Sequence, residues 1–142
     1  MAKRVLVPVD GSEHAEHATD VSTDLFPDAT LILLHVINPA EAGYSAQASI
    51  PSFSEEWYES QKENAQSILE DLEARAGDEG VDIEREVEVG KPTRVIVDYA
   101  EDEDIDHVVM GSHGRKGVSR VLLGSVAETV VRRSPVPVTV TR

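Results

Sequence analysis

Val5-Leu6-Val7-Pro8-Val9-Asp10-Gly11-Ser12 decides the fold. A strand with one wet face alternates apolar and polar residues, whereas the run from Val5 to Val9 is apolar throughout and reads as a strand buried on both faces. Polar residues then arrive together. Asp10 and Gly11 suit a turn, and Ser12 can cap a helix over 13–24, with Glu13 in its first turn and Ala15, Ala18, Val21 and Leu25 on its inner side. A doubly buried strand feeding an amphipathic helix is the start of a parallel sheet with helices on both faces.

The same alternation continues along the chain. Thr30–Ile37 is a second buried strand, and Asn38 to Phe53 reads as a loop of sixteen residues with Pro39, Gly43 and Pro51. Loops of this length often serve as lids or binding segments. Ser52-Phe53-Ser54-Glu55 has capping-box spacing and opens the longest helix, which turns Ala65, Ile68, Leu69, Leu72 and Ala76 inward and stops at Gly77 or Gly80. From Val81 to Val87 apolar and acidic residues alternate, as in a half-exposed edge strand. Pro92 suits the first turn of a third helix with Val95, Ile96, Tyr99 and Ala100 inward, and Glu101–Asp104 is a solvated acidic turn. His107–Met110 is a fourth strand, followed by a glycine-rich segment and a helix near 119–133. Val136–Thr141 is the last strand, and Pro137 places it at an edge because proline cannot donate to a ladder. The expected class is α/β, as one domain over residues 1–142.

Composition narrows the function. The 142 residues carry 13 Lys and Arg against 27 Asp and Glu, a net charge of −14. Such a surface repels phosphate backbones, so nucleic acid is not an expected partner. Nine arginines, four lysines and many carboxylates suit a halophilic protein working in concentrated salt, with an ordinary acidic protein as the alternative. Cysteine is absent, which excludes disulfides, thiol catalysis and thiolate metal sites. The start of the chain reaches Asp10 too soon for a signal peptide, and no apolar run approaches the ~18 residues of a membrane span. A cytoplasmic protein is expected, with no membrane partner.

In open α/β sheets, ligands sit beyond the carboxyl ends of the strands, where strand order reverses. Two loops suit that place: Val9-Asp10-Gly11-Ser12 and Gly111-Ser112-His113-Gly114-Arg115-Lys116-Gly117-Val118-Ser119-Arg120-Val121-Leu122-Leu123-Gly124-Ser125. The second reads as a phosphate cradle. Gly111 and Gly114 let the backbone turn closely, Gly124 removes a Cβ where a ligand approaches, and Ser125-Val126-Ala127-Glu128 has capping-box spacing for a helix whose amides favour an anion. Arg115, Lys116 and Arg120 add local positive charge. A tight turn and a simple cap explain the glycines and Ser125 separately, but not their coincidence with a basic cluster after one strand.

Other candidates carry less. Gly90-Lys91-Pro92-Thr93 mimics the end of a Walker loop, but Arg85 stands where that loop needs its first glycine. His14 and His17 are spaced for one helix face without an evident third metal ligand. Ser112 beside His113 suggests a nucleophile, yet no carboxylate is placed behind the histidine. Trp57 and Tyr58 read as packing residues, and His35 as a satisfied polar group at a strand end.

Gly111-x2-Gly114-x9-Gly124-Ser125 resembles the nucleotide-binding signature of the universal stress protein family. The likeness extends to Val7-Pro8-Val9-Asp10-Gly11-Ser12, Leu34-His35-Val36 and Val136-Pro137-Val138, and so covers nearly the whole chain. It implies a single-domain Rossmann-like sandwich related to the adenine-nucleotide alpha hydrolases, with a five-stranded parallel sheet in the order 3-2-1-4-5. It implies a homodimer paired through the last strand, Val136–Thr141, and binding of ATP or another adenine nucleotide with Mg²⁺ or Mn²⁺ on the triphosphate. By position, Pro8 and Val9 line the floor and Asp10 contacts the adenosine or the metal side. Val36 meets the adenine through its backbone. Gly111, Gly114, Gly124 and Ser125 hold ribose and phosphates, and Met110, Arg115 and Val126 complete the set.

Three functions follow: an ATP-binding regulatory module acting in the stress response on an unknown protein partner, a dimeric interaction protein that binds no nucleotide, and a slow ATPase or phosphotransferase with Asp10 as its candidate group.

Overall fold

A computed structural model describes residues 3–41, 55–77, 80–113 and 123–142. Among these, strands β1 (Arg4–Pro8), β2 (Thr30–Ile37), β3 (Asp82–Val89), β4 (His107–Gly111) and β5 (Val138–Thr141) form one parallel sheet in the order β3-β2-β1-β4-β5. Helices α1 (Glu13–Leu25), α2 (Glu55–Gly77), α3 (Pro92–Asp102) and α4 (Ser125–Arg133) cover it.

Successive strand residues face opposite ways, and the apolar runs supply both sides. Val5, Val7, Val9, Leu31, Leu33 and Val109 pack with Ala15 and Ala18 of α1 and Leu69 and Leu72 of α2. Leu6, Ile32, Leu34, Val108 and Met110 pack on the other face with Ile96 and Ala100 of α3 and Ala127 and Val130 of α4. Each large side chain so buried contributes about 1.5–3 kcal/mol. The sheet is therefore the middle layer of three.

Helix α1 begins as expected, with Ser12 Oγ accepting from the Ala15 amide at 3.2 Å. Its inner stripe differs from expectation. Leu25 is 52% exposed, while Thr19 and Ser22 are fully buried. Their hydroxyls donate to the carbonyls of Ala15 and Ala18, at 2.9 and 2.7 Å, so small polar residues sit satisfied against the sheet. Phe26, just past the helix, packs on the cluster instead.

Helix α2 turns Ala65, Leu69, Leu72 and Ala76 inward as its spacing requires, with Ile68 packed against them. Ser52 and the capping box lie outside the described residues, as does most of the expected 38–53 loop. Arg75 donates to Asp20 through Nε and Nη2, at 2.7 and 2.8 Å, tying α2 to α1. That guanidinium holds the Asp20 carboxyl below its ordinary value.

Strand β3 is an edge, and it runs to Val89 because its pairing with β2 continues to Ile37. Ile83 and Val87 face the core while Glu84, Glu86 and Glu88 face the other way. Burial raises the Glu86 carboxyl, and Glu88, Glu84 and Glu103 add to the rise. Burial also pushes the Tyr99 hydroxyl up to about 12. At the opposite edge, β5 starts at Val138 rather than Val136. The Ser134 hydroxyl both accepts from the Val136 amide and donates to its carbonyl, which curls this segment into a turn.

Candidate functional site

Between β1 and β4 the strand order reverses, and a cavity of about 580 Å³ opens beyond their carboxyl ends. That volume falls within the ~300–1,000 Å³ usual for small-molecule sites. Every expected site residue that is described lines it: Pro8, Val9, Asp10, Val36, Met110, Gly111, Gly124, Ser125 and Val126. Gly114 and Arg115 lie outside the described residues, as do Lys116 and Arg120. A depression of about 460 Å³ by the end of α2 and the start of β3 holds an exposed ion pair, Arg85–Glu73 at 3.0 Å, and lies away from the carboxyl ends of the strands.

On the β1 side, Asp10 is built into its own turn. Its Oδ1 accepts from the Ser12 amide at 3.0 Å and the Ser12 hydroxyl at 2.6 Å, so capping α1 and orienting the carboxylate are one network. Gly11 completes the turn at φ +84°, where a side chain costs about 1–2 kcal/mol, and α2 leans on it through Ile68.

On the β4 side, the glycines act differently from expectation. Gly111 is the last residue of β4 and does not turn the chain. A Cβ there would stand 2.7 Å from His14 Cβ, so its absence admits α1 against the sheet. A Cβ on Gly124 would meet the Ser112 carbonyl oxygen at 3.0 Å, while the Gly124 amide donates to that same oxygen at 2.6 Å. Both glycines let the protein approach itself.

Gly124, not Ser125, is the N-cap of α4, and Ser125 is the first helical residue. The capping-box reading is therefore displaced by one residue, because the Gly124–Ser112 bond fixes where the helix starts. The expected start near 119 lies outside the described residues. Glu128 donates to the Gly124 carbonyl at 3.0 Å, which leaves the amides of Ser125, Val126 and Ala127 without intrahelical acceptors. This amide end opens on the cavity.

Other lining residues went unassigned in the sequence. Asn38, Glu41, Lys91 and Thr93 form the wall near Val36. Asn38 and Glu41 begin the 38–53 loop read from the sequence as a lid or binding segment, whereas nothing local assigns Lys91 and Thr93 to the site, because β2 and the start of α3 meet only in the folded sheet. His35 is buried, with Nδ1 3.1 Å from the Val9 carbonyl oxygen, as a satisfied strand-end residue should be. His14 is not paired with His17: its ring lies 5.5 Å from that of His113. Among the described residues no group of three or more His, Cys, Asp or Glu could hold a metal ion, and no helix is long and apolar enough to cross a membrane.

A family model described as the universal stress protein family matches residues 1–142. The chain belongs to that family. Universal stress protein MJ0577 of Methanocaldococcus jannaschii is 34% identical over 159 residues, covering 100% of this chain and 96% of the relative. Universal stress protein YxiE of Bacillus subtilis is 30% identical over 148 residues, covering both chains fully. A solved structure of MJ0577 superposes with a TM-score of 0.85 at 35% identity, over 99% of this chain and 96% of that one. A universal stress protein solved in complex with cAMP matches with a TM-score of 0.72 at 28% identity, over 99% of this chain and 97% of that one.

Proposed function

We propose that this member of the universal stress protein family binds an adenine nucleotide, ATP foremost, in the cavity at the β1–β4 reversal. The observation that carries the reading is the amide end of α4 opening on a cavity of ligand size whose other walls are Asp10 and Val36. Free amides and the positive end of a helix favour an anion even in a molecule of net charge −14. The cAMP complex of a relative supports the ligand class.

In this reading Pro8, Val9 and Met110 form the floor, Val36 meets the base, and Asp10 faces the ribose or the metal. Gly111, Gly124, Ser125 and Val126 receive the phosphates with Gly114 and Arg115. Mg²⁺ or Mn²⁺ is carried in on the triphosphate. The protein acts as a single-domain, homodimeric regulatory module in the cytoplasm, paired along β5, and nucleotide selects the conformation presented to a protein partner.

Thermal unfolding in molar KCl with and without Mg-ATP tests the binding. Ligand at about 100 times its Kd adds roughly 2.7 kcal/mol. An unchanged transition from micromolar to millimolar ATP overturns the reading and leaves a dimeric interaction protein in its place.

A further inference from the structure

Strand β3 is the longer of the two sheet edges, 8 residues against 4 in β5, and among the described residues no strand pairs with its outer side. Proteins commonly blunt such an edge with proline, a bulge or lysine. β3 has none of these: its pairing with β2 runs unbroken from Asp82 to Val89. The Gly90 amide donates to the Ile37 carbonyl at 2.9 Å, and main-chain groups alternate sides along a strand. Those of Ile83, Arg85, Val87 and Val89 therefore point away from β2, as a row of donors and acceptors.

The two faces of this edge differ. Asp82, Glu84, Glu86 and Glu88 share the face of Ile32, Leu34 and Val36. Arg4 pairs with Glu84 at 3.3 Å, while neither Glu86 nor Glu88 has an ion-pair partner among the described residues. Burial raises the Glu86 carboxyl, and Glu88, Glu84 and Glu103 raise it further, the mark of a negative field left uncompensated. On the other face lies the depression of about 460 Å³ between α2 and β3, with Ala74, Gly77, Val81 and Ile83 among its walls.

We propose that the outer edge of β3 is a docking site for an extended Lys- or Arg-rich segment of a partner protein. The segment adds to the five-stranded sheet as a further strand, with its cations on Glu84, Glu86 and Glu88 and its intervening small apolar side chains in the groove beside α2. Strand addition takes affinity from main-chain hydrogen bonds and specificity from alternate side chains. The charge selects the occupant. Pairing with a second β3 would lay carboxylate on carboxylate, which destabilises, whereas opposite charges facing across a ladder stabilise it. In molar salt the screening length is only ~3 Å, so a cation must sit on its carboxylate, as a strand bound in register allows. The inference uses no residue of the β1–β4 cavity and so stands apart from the nucleotide reading.

Fluorescence anisotropy with a labelled peptide of about eight residues, alternating Val and Lys, tests this on the whole chain without nucleotide. The peptide is expected to bind, and its counterpart with Glu in place of Lys to bind at least about tenfold more weakly. Glu86→Gln combined with Glu88→Gln should weaken the lysine peptide by about tenfold. In wild type, amide exchange should slow at Ile83, Arg85, Val87 and Val89 when the peptide is bound, and stay unchanged at Glu84, Glu86 and Glu88, whose amides already face β2. No binding overturns the proposal and leaves the carboxylates as guards of a closed edge. Equal binding of the glutamate peptide overturns it, as does binding that protects none of the four outward amides. Outward amides already protected without peptide, in a chain that sediments as a dimer, assign the edge to a second copy and overturn it as well.

Discussion

His14 and Gly111 contest the same space: a Cβ on Gly111 would lie 2.7 Å from His14 Cβ and 3.1 Å from its carbonyl carbon and oxygen. Both are firmly held, one in α1 and one at the end of β4, so neither can retreat cheaply. Gly111→Ala is expected to cost about 1–3 kcal/mol in urea unfolding, as overpacking does. Adding His14→Ala restores nothing, since the clash is with Cβ and backbone rather than with the ring. A wild-type midpoint for Gly111→Ala contradicts the packing described.

Ser125 offers the opposite expectation. An N-cap serine replaced by alanine costs ~1 kcal/mol, but the cap of α4 is Gly124 and no side chain caps it. Ser125→Ala should therefore change stability by less than about 0.5 kcal/mol, as most exposed substitutions do. A full cap-sized loss in the same urea titration places the helix start one residue later than found.

Glu86 gives a pH signature. Its carboxyl is raised above the ordinary 4.5 by burial and then by Glu88, Glu84 and Glu103. The folded protein therefore holds this proton more tightly than the unfolded chain. The stabilisation is complete below that value and is lost as pH rises through the raised one. Glu86→Gln is expected to melt a few degrees higher at neutral pH, and no higher near pH 4. A variant that gains equally at both pH values refutes the assignment.

His107 works in the other sense. Its ring nitrogen Nε2 lies 2.7 Å from Thr139 Oγ1, linking β4 to β5, and burial and then Lys3 lower it from its ordinary 6.5. The folded state prefers the neutral ring, so this contribution is present above pH 6.5 and is lost as acid charges the ring. Melting curves from about pH 8 to about pH 5 should fall for wild type and flatten in His107→Gln.

Salt discriminates between the two readings of the net charge. Carboxylates crowd β3, and the screening length shrinks from ~8 Å in physiological salt to ~3 Å at 1 M. Repulsion summed over a charge of −14 is expected to outweigh exposed pairs such as Asp20–Arg75, so the melting temperature climbs with KCl. A steady decline assigns the charge to ordinary acidic composition.

Much of this architecture is written locally. Two-face burial shows in Val5–Val9 and Thr30–Ile37 as uninterrupted apolar runs, and the exposed side of β3 shows as its regular acidic positions. The residues that line the cavity were legible wherever strand ends and glycines mark them. Three features were not. Leu25 looks inward by helical period, but Thr19 and Ser22 satisfy their own hydroxyls and take the buried stripe. Ser125 has the chemistry of a cap, yet a long-range bond from Gly124 to Ser112 sets the boundary. Lys91 and Thr93 reach the cavity only because β2 and β3 end side by side. The first failure is a local side-chain bond within α1, and the other two are tertiary contacts overriding a local rule.

One residue joins the rim of the sheet to the cavity wall. The Ser112 amide grips β5 through Thr141 while its carbonyl grips the start of α4 through Gly124. A pull on the outermost strand thus arrives at the cavity wall after a single residue, with no spring between to absorb it. Deuterium uptake at that one amide should serve as a strain gauge for both, reading out a second molecule docking along the edge and a ligand settling in the crevice on the same scale.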